Sequence, residues 1–229
     1  MVTYHVLMTL TEDLVAYLES FLTDRRRLKN HAVLTNRTNH FSVAIEDVYQ
    51  LHNTSAVMRS CDIFGIQNLH VIEERNLRTI DREIAMGAQK WVDIHRYHTT
   101  KNCVESLKNE GYQIVATTPH GDNNVTLSEF DISKKSVFFF GKEDKGLSDH
   151  ILQQSDVQLK IPMYGFTESL NISVSASIIL QEVTRKLHES SINWKFTEKE
   201  TLQKRYDWVC KVLKSHDKII ARYNEKANS

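Results

Sequence analysis

Three stretches of this 229-residue chain hold residue types that can do chemistry. In the first, Asn53 and Arg59 stand six positions apart. An amide can orient a neighbour through its donors and acceptors, and a guanidinium that stays protonated can hold a phosphate or a developing oxyanion. A lone helical arginine is usually a surface ion-pair partner. The second stretch, Gly141-Lys142-Glu143-Asp144-Lys145-Gly146-Leu147-Ser148, imitates the spacing of a phosphate-cradling glycine loop. Leu147 stands where that loop needs its lysine, which argues against nucleoside triphosphate binding. The third, Met163 to Asn171, contains Gly165, Ser169 and Leu170, is long for a plain turn, and is a candidate pocket wall.

Other chemistries lack their residues. Cys61, Cys103 and Cys210 are odd in number and widely spaced, so neither a disulfide framework nor a zinc site is indicated, and a reducing compartment fits. His95 and His98 flank a strand end, where they face opposite sides rather than one metal. No G-x-G-x-x-G follows the first predicted strand and no G-x-S-x-G elbow occurs.

The elements that must position these residues alternate between strand and helix. Strands are expected at His40–Val48, where Phe41, Val43 and Ile45 share a side, at Asn68–Ile72, Val92–Tyr97, Gln113–Thr118, Ser136–Phe140 and Asp156–Ile161. The unbroken apolar run Val137-Phe138-Phe139-Phe140 is of the kind buried on both faces of a parallel sheet. A helix capped by Asn53 or Thr54 and stopped by Gly65 carries Arg59. Short helices are expected at Ile84–Ala88 and Lys101–Asn109, and Ser148 caps another. Ser173–Leu187 has helical spacing and opens with Ser173, Ser175, Ala176 and Ser177, small residues that let something pack closely against its first turn. The Asn53 helix, the Gly141 loop and the Met163–Asn171 loop all follow strands, and loops leaving the carboxyl ends of parallel strands are where α/β proteins bind ligands.

The two ends differ from this middle. Thr9 to Glu12 has capping-box spacing, and Leu10, Leu14, Leu18 and Phe21 predict an amphipathic helix up to about Asp24. Arg25, Arg26, Arg27, Lys29 and Arg37 then form the densest basic run, either a solvated helix face or an attractor of phosphates. Leu202, Tyr206, Val209 and Leu213 mark a helix that packs on the body of the protein or on a second copy. Domain boundaries follow: a basic helical arm over 1–39, an α/β domain over 40–188 and a helical extension over 189–229. Lys and Arg number 29 and Asp and Glu 29, so a broadly basic binder of nucleic acid is excluded and any phosphate attraction is local. The absence of a signal-like start or a long apolar run leads to an expectation of no membrane partner and a cytoplasmic location.

Taken in order, Asn53-x5-Arg59, Phe140-Gly141-Lys142-Glu143-x2-Gly146-Leu147 and Ile161-Pro162-Met163-x-Gly165-x3-Ser169-Leu170-Asn171-x-Ser173 resemble the three motifs of the SpoU branch of the SPOUT RNA 2′-O-ribose methyltransferases. The segment from Arg27 through Asn53 to Asp62 resembles the TrmH subgroup, which methylates tRNA. The resemblance covers Phe41 to Leu187 and is intact at the three motif cores, whereas the basic arm matches loosely.

The resemblance implies an α/β fold with a mostly parallel sheet flanked by helices, its carboxyl-terminal part a deep trefoil knot, plus the two helical extensions. General threading rules would argue against such a knot. It implies S-adenosylmethionine (SAM) as the cofactor, held without a metal by Thr117, Gly141, Ile161, Met163, Gly165 and Leu170. Asn53, Arg59, Glu143, Ser169 and Asn171 match positions around the reacting ribose. It implies tRNA as the partner, guanosine 18 of the D-loop as the target, and a homodimer paired through the knot region, for which the Ser173–Ser177 face and the Leu202–Leu213 stripe offer surface. Ribosomal RNA, another tRNA position, or a non-catalytic RNA-binding role are the alternatives it leaves.

Overall fold

In chain order the elements are α1 (Glu12–Glu19), α2 (Asp24–Leu34), β1 (Phe41–Glu46), α3 (Leu51–Ile63), β2 (Asn68–Ile72), β3 (Asp93–Tyr97), α4 (Thr100–Asn109), β4 (Gln113–Thr117), β5 (Val125–Thr126), β6 (Ser136–Phe140), α5 (Asp149–Gln154), β7 (Val157–Lys160), α6 (Ile172–Glu189), α7 (Glu198–Val212) and α8 (His216–Ala227). The structure, a computed structural model, describes residues 10–47, 51–73, 87–121, 124–142 and 145–227. Two compact units divide these elements, one from Thr38 to Lys195 and one combining Met1–Arg37 with Phe196–Ser229.

In the first unit seven strands form one sheet in the order β3-β2-β1-β6-β4-β7-β5, and every pairing is parallel. β1 and β6 lie at its centre, with Phe41 opposite Ser136 and Ile45 opposite Phe140. Both are buried along their whole length, as the apolar run in β6 predicts. Phe41, Val43, Ile45, Phe138 and Phe140 face the layer made by α3 and α6. Ala44, Val137 and Phe139 face α4 and α5 through Cys103, Val104, Leu107 and Ile151. Each phenylalanine so buried contributes about 1.5–3 kcal/mol.

The expected strands appear with boundaries shifted by at most one residue at the ends that are described; Val48, the expected end of the first, lies outside the described residues. Two local expectations are corrected. α3 begins at Leu51, so Asn53 lies inside the helix and does not cap it. Of the helix expected at Ile84–Ala88, residues 84–86 fall outside the described residues, and Ala88–Lys90 forms a single 3-10 turn. Asn171 caps α6, its side chain accepting from the Ser173 amide. Gly65 does stop α3: its φ of 76° is a left-handed value that favours glycine, and the Ile66 amide bonds back to the Cys61 carbonyl at 2.9 Å.

In the second unit Thr11 caps α1 and Thr23 caps α2, so the amphipathic helix stops at Glu19 and the basic run forms a helix of its own. Thr9 lies outside the described residues. Leu14 and Leu18 pack with Val209, Tyr206 and Leu213 of the α7 region and with Ile219, Ile220 and Tyr223 of α8. The apolar stripe of α7 is thus covered by the chain's own first helix, and the surface it was expected to offer a second copy is not free. Arg205 clamps this bundle, with Glu19 at 2.8 Å and Glu12 at 2.5 Å. Burial alone would raise the Glu19 carboxyl, but the hydrogen bond and charge of Arg205, with His31, hold it below its usual range.

A buried histidine sits at the β2–β3 side of the sheet. His70 is 2% exposed, its ring stacks on His95 with centroids 4.8 Å apart, and Nδ1 lies 3.3 Å from the Tyr97 hydroxyl. Burial, then the charges of His95 and Lys135, push it down to about 3. The unfolded chain therefore takes up a proton near the ordinary value of about 6.5 that the folded chain refuses, and stability falls as pH drops below about 6.5. We expect urea unfolding at pH 7.5, 6.5, 5.5 and 4.5 to show His70→Gln losing less stability on acidification than the parent, the gap growing by up to about 1.4 kcal/mol per pH unit. Parallel curves for the two proteins would show that His70 is not the responsible group.

Candidate active site

Where β4, β6 and β7 end, their loops enclose a cavity of about 640 Å³. Thr117 and Thr118 line it after β4, Gly141, Lys142, Gly146 and Leu147 after β6, and Ile161, Met163, Glu168, Ser169 and Leu170 after β7, with Ile172 and Ile179 of α6 behind. Its volume is that of a site for a drug-sized ligand, and its walls mix apolar side chains with polar groups at the strand ends.

Local geometry holds these walls. Thr117 donates from its hydroxyl to the Phe139 carbonyl at 2.7 Å, and the Thr118 amide donates to the Leu159 carbonyl at 3.0 Å. The Gly141 loop is pinched at its waist, where Lys142 and Gly146 exchange two backbone hydrogen bonds of 2.9 Å. A side chain at Gly141 would come within 2.2 Å of the Gly146 carbonyl carbon, so only glycine fits. Leu147, out of place in a triphosphate loop, is 8% exposed, lines the cavity and packs under α4 and α5. Lys142 pairs with Asp47 at 3.3 Å.

Beside the cavity α3 meets α6. Ser60 and Ser177 share a hydrogen bond of 2.8 Å, and the Asn171 side-chain amide donates to Asn53 Oδ1 at 3.2 Å while Asn171 Oδ1 accepts from the Ser173 amide and hydroxyl. The small residues at the start of α6 therefore admit α3. Asn53 is buried in this seam. Arg59, about 9 Å further along the helix axis and on a different face, is exposed and makes no ion pair with a described residue.

Of the expected ligand-holding residues, Thr117, Gly141, Ile161, Met163 and Leu170 come together around the cavity with Ser169. Gly165 is exposed and does not line it, and Asn53, Asn171 and Arg59 stand outside it. Glu143 lies outside the described residues. In the other unit Arg25, Arg26, Arg27 and Lys29 are exposed on α2, with Arg27 bonded to Asp24 at 2.9 Å. Arg37 does not share that face: it is 1% exposed, with its guanidinium 5.6 Å from the Trp208 ring centre. Burial against an aromatic ring removes it from any surface patch.

Sequence reasoning missed Glu46, which is buried and accepts hydrogen bonds from Ser148 and Thr100. Its signal was an acidic pair, Glu46-Asp47, closing an apolar strand at the ligand side of the sheet. His95 stacks on His70, and its Nε2 lies 3.0 Å from Asn68 Oδ1.

An all-parallel sheet whose carboxyl-end loops enclose a cleft of small-molecule size is the form of an α/β ligand-binding domain. Residues 40–181 match the SpoU rRNA Methylase family, and the chain belongs to that family. It is 35% identical over 205 residues to a tRNA (guanosine(18)-2′-O)-methyltransferase of Borreliella burgdorferi, covering 90% of this chain and 94% of that one. To the protein of that name from Aquifex aeolicus it is 33% identical over 176 residues, 76% of this chain and 83% of the other. The crystal structure of the A. aeolicus TrmH/SpoU tRNA modifying enzyme superposes with a TM-score of 0.76 at 31% identity, covering 83% of this chain and 98% of that one. An AdoMet-bound rRNA methyltransferase from Sinorhizobium meliloti superposes with a TM-score of 0.57 at 26% identity, over 66% and 58%.

Proposed function

We propose that this protein transfers a methyl group from SAM to the 2′-oxygen of a tRNA ribose, that of guanosine 18 in the D-loop, in the cytoplasm. The observation that carries the reading is the cavity at the ends of β4, β6 and β7, which gathers residues of two of the three motifs, in a chain related along nearly its whole length to enzymes of that activity.

The residues fit the cofactor. Leu147, Leu159, Ile161 and Ile179 offer apolar walls to an adenine ring, and the backbone at the strand ends offers polar groups to its edge and to the ribose. When bound, SAM supplies a methyl group already activated on a sulfonium. What the chain adds is alignment and help with the proton of a weakly acidic hydroxyl. Arg59, with no ion-pair partner among the described residues, is the group to hold a neighbouring phosphate or the developing alkoxide through its planar fork. Asn53 and Asn171 lock α3 to the start of α6 and so set the direction from which Arg59 reaches substrate. Ser169 faces the cavity and can orient the ribose.

On the same reading the carboxyl-terminal strands and α6 are threaded as the deep trefoil knot of the family, with β7 lying between β4 and β5. The protein pairs as a homodimer through exposed apolar residues at this end: Tyr164 and Phe166 are fully exposed, and Val174 and Ile178 lie one turn apart on the outer side of α6. Arg25, Arg26, Arg27 and Lys29 grip the tRNA backbone. No helix among the described residues is long and apolar enough to cross a membrane.

Primer extension at low deoxynucleotide concentration on tRNA from a strain lacking this protein should lose the stop at guanosine 18. A D-loop stop that persists while one in ribosomal RNA or the anticodon loop disappears would reassign the substrate. Arg59→Ala should lower turnover by at least a hundredfold with SAM affinity within about twofold, and Arg59→Lys should fail too because an ammonium lacks the fork. Most of the turnover surviving in Arg59→Ala would remove that residue from the mechanism. Replacing Arg25, Arg26, Arg27 and Lys29 by Gln should flatten the salt dependence of tRNA binding by about one unit of slope per lost contact, SAM binding being unchanged; an unaltered slope would assign the grip elsewhere. Light scattering should give the mass of two chains for the parent and shift toward one for Val174→Asp with Ile178→Asp, and a single-chain mass for the parent would end the dimer proposal.

A further inference from the structure

Glu46 ends β1 and is 5% exposed. Both of its oxygens are engaged. Oε1 accepts from the Thr100 hydroxyl at 2.5 Å and from the Ser148 hydroxyl at 2.8 Å, and Oε2 accepts from the Ser148 amide at 2.8 Å. It makes no ion pair with a described residue, so its charge is met by hydroxyl and amide dipoles and by the amino end of α4, which starts at Thr100. Burying a carboxylate this way costs several kcal/mol unless each lone pair finds a donor, and three donors aimed at one carboxylate hold it firmly.

What that carboxylate grips is the far end of the Gly141 loop. The loop enters from β6, whose Phe140 pairs with Ile45, the residue before Glu46. It leaves through Gly146, Leu147 and Ser148, and Ser148 also caps α5. Glu46 therefore reaches from the strand beside the loop's entrance to its exit, while its neighbour Asp47 reaches back to Lys142 at the entrance. Between these anchors Gly141, Gly146 and Leu147 form one wall of the cavity.

We infer that Glu46 is a positioning residue for the cofactor, fixing Ser148 so that Gly146 and Leu147 stand where the adenosyl part of SAM packs. The inference rests on the SAM reading of the cavity given above. Its consequence is a split in affinities: losing the carboxylate loosens one wall of the cofactor cleft and leaves the RNA-contacting helix α2, in the other unit, untouched.

The test is isothermal titration of SAM and, separately, of tRNA to the full-length protein, with folding checked by circular dichroism. Glu46→Gln keeps the size of the side chain but sets an amide donor against the donors of Ser148 and Thr100. It should weaken SAM at least tenfold with tRNA affinity within twofold. Ser148→Ala, which keeps the backbone amide, should weaken SAM by less, Ser148→Thr should restore it, and Ser148→Ala added to Glu46→Gln should cost little more. A folded Glu46→Gln protein with SAM affinity within twofold of the parent, or one losing SAM and tRNA equally, would overturn the inference. Should Glu46→Gln fail to fold, the Ser148 pair decides: equal SAM affinities for Ser148→Ala and Ser148→Thr overturn it. A parent protein that binds no SAM would instead overturn the reading of the cavity itself.

Discussion

The close approach of α3 to α6 is the contact on which the carboxyl edge of the sheet depends. Ser60 against Ser177 puts two short hydroxyls where larger side chains would hold the helices apart, and below them Val57, Met58 and Cys61 share one core with Ala176, Ile179, Leu180 and Val183. A methylene too many in such a seam costs about 1–3 kcal/mol and moves both helices. Movement here would be felt in two places. The Asn53–Asn171 hydrogen bond at the upper end of the seam would stretch, and Ile172 and Ile179, which back the cavity, would shift with α6. One line of packing thus sets both the wall of the ligand cleft and the helix that carries Arg59.

Charge is arranged by the same economy of contacts. The chain is neutral as a whole, yet its basic residues are not all used alike. Lys142 and Arg205 are committed to carboxylates inside their own units, and Arg37 lies against Trp208. Arg25, Arg26 and Lys29 on α2 and Arg59 on α3 stay exposed, and of the chain's positive groups these are ones that a polyanion can reach. A neutral protein can in this way present a local positive surface without the self-repulsion of a basic one.

How far the sequence could be read follows from which interactions are local. The parallel sheet was visible because Val137 to Phe140 is apolar at consecutive positions, a pattern that suits a strand covered on both faces. Gly65 and Ser148 marked helix ends because a left-handed turn or a side-chain cap involves residues only a few positions apart. The family was legible in three motifs whose order is a property of the chain itself. Partners far apart in sequence were hidden. Nothing near Arg37 announces Trp208, nothing near Leu202 to Leu213 names Leu14 and Leu18 as its cover, and Glu46 gives no sign of Ser148. The small residues of α6 were noticed as a place of close approach, but only the fold identifies α3 as what approaches.

The joining of the two chain ends into one unit has a consequence for how the protein is made. Thr38 and Lys195 form an antiparallel bridge, and the Thr38 hydroxyl donates to the Trp194 carbonyl at 2.7 Å, so the central unit opens and closes at one point. The apolar stripe of α1, Leu14 and Leu18, is covered by residues translated only after that whole unit. At about 5–20 residues per second, the stripe stands bare on the nascent chain for on the order of ten seconds or more. Any chain released early keeps it bare for good, so unfinished molecules display at their amino end the kind of surface that chaperones and proteases bind.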